Sequence, residues 1–155
     1  MPWKTTLEHA EEDKREGKSP STQAGEFVKE EMEHIRRGKH GARSPKQAIA
    51  IGLSKARRAG VDLKPPKKGR ASEKTRKSAE RDYSKGHSEK KKSSSSSSRR
   101  SSARLKALKR EPRSAASHRA LSKQAKSAAQ KRRRSGPATA GAGRRSSRSS
   151  HRKAA

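Results

Sequence analysis

Apolar residues recur at helical spacing only in the first part of the chain. Nearly all of the large apolar side chains, namely Leu7, Phe27, Val28, Met32, Ile35, Ile49, Ile51, Leu53, Val61 and Leu63, precede Gly69, and Pro65 and Pro66 close the pattern. Three helices follow from caps and periodicity. The first takes Thr5 as N-cap with Glu8 three residues on, a capping box, and ends at Gly17 with a thin apolar face of Leu7 and Ala10. The second starts near Ser19-Pro20 or Thr22 and runs to Gly38, with Ala24, Phe27, Val28, Met32 and Ile35 on one face. Its acidic residues Glu26, Glu30, Glu31 and Glu33 precede Arg36 and Arg37, the order that the helix dipole favours. The third has Ser44 as N-cap, Pro45 at the first helical position, Gln47 to complete a capping box, and Gly60 with Val61 as the C-terminal stop.

The connection from Gly38 to Arg43 is short enough for an antiparallel helical hairpin. So few apolar side chains offset little ordering entropy, which predicts a marginal bundle. After the prolines the chain is low-complexity, with three lysines at 90–92, six serines at 93–98 and Lys-Arg-Arg-Arg at 131–134. Segments 103–111 and 115–134 are rich in good helix formers, but like-charge repulsion is expected to hold them open until phosphates neutralise them. The expected fold is thus a small all-α N-terminal module, a helical hairpin or three short helices over residues 1–64, with a long intrinsically disordered basic tail over residues 65–155.

Charge sharpens this division. The 155 residues carry a net charge of +29, of which residues 1–69 hold +6 and residues 70–155 hold +23. Such a balance seeks polyanions. The chain has no cysteine, which removes disulfides, thiolate nucleophiles and cysteine-based zinc sites. Residues 1–16 contain no apolar signal core, and the longest apolar run, Ala48 to Leu53, is far short of the ~20 residues a membrane span requires. A soluble intracellular protein with no membrane partner is expected.

The candidate phosphate contacts are the clustered cations. In the module these are Arg36, Arg37, Lys39, Arg43, Lys55, Arg57 and Arg58. Beyond it they are Lys67, Lys68, Lys90, Lys91, Lys92, Arg99, Arg100, Lys131, Arg132, Arg133, Arg134, Arg144 and Arg145. Sequence readout is not evident. The three aromatics, Trp3, Phe27 and Tyr83, cannot form a stacking platform, and Arg134-Ser135-Gly136-Pro137 departs from an AT-hook. A helix-turn-helix would place the third helix in a major groove, yet only Lys46 and Gln47 near its N-terminal end suit base contacts. His34 and His40 lie six apart, off the helical step that aligns ligands, so they are read as solvated, with no metal site and no cofactor. The carboxylates are read as a solvated helix face. No Ser/His/Asp set, carboxylate pair in an apolar pocket or Walker loop is present, and the chain is not read as an enzyme. Residues 1–33 are net −4, a face on which the basic tail could dock.

The stretch from Asp13 to Val61 resembles a family of small bacterial proteins labelled DNA-binding or of unknown function. The resemblance is carried by residues 14–18 (KREGK), 21–28 (STQAGEFV), 34–41 (HIRRGKHG) and 44–60 (SPKQAIAIGLSKARRAG). The tail looks like the basic tails of linker histones and bacterial histone-like proteins. Together with the charge, these likenesses imply sequence-nonspecific DNA binding, with histone-like compaction or protection, in a nucleoid-associated protein of the bacterial cytoplasm. The alternatives are an RNA- or ribosome-associated protein, or a module for a protein partner with an accessory basic tail.

Overall fold

Local chemistry sets most of the helix ends. In the computed structural model, which describes residues 2–88 and 96–135, α1 spans Lys4–Arg15, α2 Pro20–Arg36 and α3 Pro45–Arg58. Ser19 caps α2 by accepting from the Thr22 N–H at 3.3 Å, and Ser44 caps α3 by accepting from Gln47 at the same distance. Gln47 Oε1 reaches back to the Arg43 N–H at 2.8 Å, one residue before the cap. The capping box expected at Thr5 does not form, because α1 begins two residues earlier, after Trp3, and has no side-chain cap. At the end of α3, Gly60 takes φ +94° while Val61 N–H returns to Ala56 O and Gly60 N–H to Arg57 O. That is a Schellman stop. Gly38, at φ +74°, ends α2 in the same way and turns the chain back along it.

The expectation of a disordered tail is overturned. Beyond the prolines the chain forms α4 (Glu73–His87), α5 (Ser96–Lys109), a 3-10 turn (Arg113–Ala116) and α6 (His118–Ser135). Over the described residues the protein is all-α, with six helices. Two forces outweigh like-charge repulsion. Ala, Leu, Lys, Arg and Gln in α6 are strong helix formers, whereas each like-charge pair at i,i+4 costs only a few tenths of a kcal/mol. The tail also has apolar side chains to bury, and it buries them on the module. Ala115 and Ala116 are 4% and 0% exposed, in a cluster with Met32, Ile35, Ala42 and Ala48, and Leu121 of α6 packs against it.

Backbone contacts lock this docking. Gly41 N–H donates to Leu108 O at 2.9 Å, Ala42 N–H to Pro112 O at 3.0 Å, and Arg36 Nε to Ala116 O at 3.1 Å. A Cβ on Gly41 would overlap Glu111 O, so the close approach depends on glycine. The tail therefore docks on the C-terminal half of α2 and on α3, and no described helix beyond α3 packs on α1.

A second apolar cluster joins α1 to the other end of the module through Ala10, Ala24, Phe27, Ala56 and Val61, with Leu7, Leu53 and Leu63 against it. α4 packs on α3 with few apolar side chains. Its contacts are Ala79, the bonds from Ser54 and Arg58 to Asp82 at 2.6 and 2.8 Å, and Gly86, where a Cβ would overlap Arg57 O. No described helix is long and apolar enough to cross a membrane.

Candidate nucleic-acid interface and a buried polar cluster

The fold sorts the predicted cations into two groups. Lys55 and Arg57 turn inward. Lys55 Nζ lies 2.6 Å from Glu31 Oε2, and Arg57, 9% exposed, donates from Nε to Leu63 O at 3.0 Å. Arg36, Arg37, Lys39, Arg43 and Arg58 are exposed but hold other partners: Ala116 O, Glu33, the Trp3 ring, Glu111 and Asp82 respectively. Arg37 also lies over Trp3, 5.1 Å from the ring centroid. Lys67 and Lys68 are exposed on the loop between α3 and α4, beside the isolated bridge from Lys68 to Ala71. Arg99 and Arg100 are exposed on α5, and Lys131, Arg132, Arg133 and Arg134 on the last turns of α6. Lys90, Lys91, Lys92, Arg144 and Arg145 lie outside the described residues.

The structure adds cations that charge clustering alone did not select. Arg119, Lys123 and Lys126 are these, and with Arg133 of the 131–134 cluster they line an open groove along α6 together with Ser122, Ser127 and Gln130. All seven are exposed. The spacing of three, four and seven residues puts them on one face, opposite Ala120, Leu121, Gln124 and Ala128, which are half-buried. α6 begins after Ser117, whose Oγ accepts from the Ala120 N–H at 3.3 Å, and it contains no Asp or Glu. From Arg119 to Arg133 the rise is about 21 Å. This periodicity was legible in segment 115–134, but only once that segment is taken as a helix.

α3 is not free to enter a groove of DNA. It contacts α2, α4, α6 and the 3-10 turn, and of its residues only Lys46, Ala50 and Arg58 are exposed. The aromatic rings are likewise engaged: Trp3 meets His34 edge-on at 4.7 Å, and Tyr83 stacks on His87 at 4.1 Å.

The reading of His34 and His40 as solvated, and of the acidic face as exposed, is also overturned. Both imidazole side chains are 9% exposed, and Glu30 and Glu31 are 2% and 0% exposed. The Schellman turn at Gly38 reverses the chain and lays His40 against α2, so a spacing of six serves as well as four. His40 Nε2 lies 3.2 Å from Glu31 Oε1, His34 Nδ1 4.0 Å from Glu31 Oε2, and His34 Nε2 3.6 Å from Glu30 Oε1. Lys55 places its ammonium between the two carboxylates, 2.6 Å from Glu31 and 3.8 Å from Glu30. Trp3 roofs the cluster, its backbone N–H donating to Glu30 Oε2 at 3.1 Å. Burial, then the Lys55 charge, push the His34 pKa below its ordinary value against the pull of Glu30, so the ring is neutral at neutral pH. One ligand atom each from Glu31, His34 and His40 could converge on a metal ion, since all three lie within 4.8 Å of one another.

Residues 17–69 match a family of unknown function (DUF6496), and the chain carries a domain of that kind there. No curated protein and no solved structure matches the chain.

Proposed function

We propose that the protein binds nucleic acid without sequence readout, through the basic face of α6, with duplex DNA as the preferred ligand. The observation that carries this reading is the alignment of Arg119, Lys123, Lys126 and Arg133 on one exposed helix face that holds no carboxylate. A duplex offers one charge per ~1.7 Å of axis, so the ~21 Å face meets more phosphates than it has cations. Ser122 and Gln130 add hydrogen-bond donors suited to phosphate oxygens. Phosphate contacts position a protein on DNA but do not read it, which fits a chain whose α3 is packed in the interior. In a bacterial cell, the setting that the family resemblance implies, such an activity belongs at the nucleoid.

The test is the affinity of the full chain for mixed-sequence duplex DNA across a salt series, beside a variant with Arg119, Lys123 and Lys126 all changed to Gln. Each phosphate contact contributes about −0.9 to the slope of log K against log salt, so the triple variant should flatten the slope by roughly 2.7. An unchanged slope would remove α6 as the interface. Structured RNA that outcompetes DNA at equal phosphate would move the ligand to RNA.

A further inference from the structure

Among the described residues, the buried side-chain atoms without a hydrogen-bond partner are Glu30 Oε1, both carboxylate oxygens of Glu31, and His34 Nε2. All belong to the cluster under Trp3. Buried polar atoms are ordinarily paired; Glu31 Oε2 has the Lys55 ammonium at 2.6 Å as an ion-pair partner, and the other three call for a missing one. Lys55 is close to Glu31, but a single ammonium faces two buried carboxylates. His40 sharpens the point. Its Nδ1 lies 3.1 Å from Gly41 O, a group that can only accept, so Nδ1 carries the ring proton. Its Nε2 then faces Glu31 Oε1 at 3.2 Å, a separation at which one metal ion can bind both atoms.

We propose that Glu31, His34 and His40 form a binding site for one divalent transition-metal ion of the zinc class. Two imidazoles and a carboxylate are a known zinc ligand set that leaves a fourth position for water. Glu31 and His34 stand at i and i+3 on α2, the Glu-x-x-His spacing that points two ligands inward from one helix. His40 arrives from the reversed chain with its outer nitrogen bonded to a backbone carbonyl, the arrangement that orients a metal-bound imidazole. Tetrahedral zinc ligands sit about 3.3 Å apart, so atoms already within 4.8 Å close on the ion by side-chain adjustment. Lys55, 23% exposed, can carry its ammonium outward along its aliphatic stem, and the ion then balances the two carboxylates. Occupation would also fix the turn whose Gly41 and Ala42 hold residues 108 and 112.

The experiment uses the full chain, stripped with a chelator and titrated with Zn²⁺ or Co²⁺. Trp3, the only tryptophan, touches His34, so its emission should change to saturation at one ion per chain, and Co²⁺ should give visible d–d bands. His40→Ala and Glu31→Gln should weaken binding by about 10- to 100-fold, whereas changing the exposed His9, His87 and His118 to Ala should not. Lys55→Met, which removes the competing cation, should bind more tightly than the wild type. Histidine ring nitrogen NMR on the wild type guards against misfolded variants: Zn²⁺ should shift His34 and His40 first. Absence of one-ion binding, or Zn²⁺ shifts confined to the exposed histidines, would mean a buried ion cluster only and overturn the proposal.

Discussion

Lys55, Arg57 and Arg58 stand within four residues of one another on α3, yet they meet three environments: a buried carboxylate, a backbone carbonyl and a half-exposed aspartate. Composition assigns all three to phosphate, because a cation's partner 24 residues away leaves no local trace. Caps are different. Ser19 and Ser44 bond groups three residues on, and both were readable. Asp82 shows what a distant pairing contributes. Burial alone would raise its pKa, but bonds from Arg58 and Ser54 and the nearby Arg58 and Lys85 charges more than offset that, so the carboxyl titrates below the ordinary aspartate value. A group depressed in the folded state stabilises it above the unfolded pKa, and that contribution is lost as pH falls through the folded value. Asp82→Asn is therefore expected to lower stability by about 1 kcal/mol at neutral pH. Below the unfolded aspartate pKa of about 4 the difference from the wild type should close. Denaturant melts at several pH values check this; a pH-independent gap would contradict it.

Helices α2 and α3 contain two glycines that local propensity treats alike and packing separates. Gly25 is exposed on α2 with open space where a Cβ would stand, whereas a Cβ on Gly52 of α3 would lie 2.7 Å from Val28 Cα. Gly25→Ala should stabilise the protein by about 0.5–1 kcal/mol. Gly52→Ala gains the same backbone term but forces the two helices apart, for a net loss of roughly 1–2 kcal/mol. Thermal melts with opposite shifts would support this packing; equal shifts would contradict it. α6 teaches a related lesson. Its Ala/Lys/Arg content signals helix propensity, and repulsion does not prevail because the half-buried row of Ala120, Leu121, Gln124 and Ala128 has a surface to cover once Ala115 and Ala116 are seated.

Across the molecule, the module and the basic half depend on each other. Met32, Ile35 and Ala48 are buried in part by the turn at Ala115 and Ala116, so a chain ending at residue 109 exposes them. Its first three helices should lose roughly 2 kcal/mol, a melting shift of roughly 10 °C. Gly41→Ala should reproduce part of that loss in the full chain by blocking the approach of Glu111. Equal melting of the two lengths would restore the tail to an independent appendage. The sequence by itself determined the three N-terminal helices, two of their caps, the stops at Gly38 and Gly60, and the excess of positive charge, since each rests on neighbours within a turn or on simple counting. The tertiary contacts settle which cations face solvent, that the histidines and Glu31 meet in the interior, and that residues 70–88 and 96–135 fold into helices. Those outcomes depend on surfaces brought together from distant parts of the chain, where burial outweighs the local preferences that a linear reading can weigh.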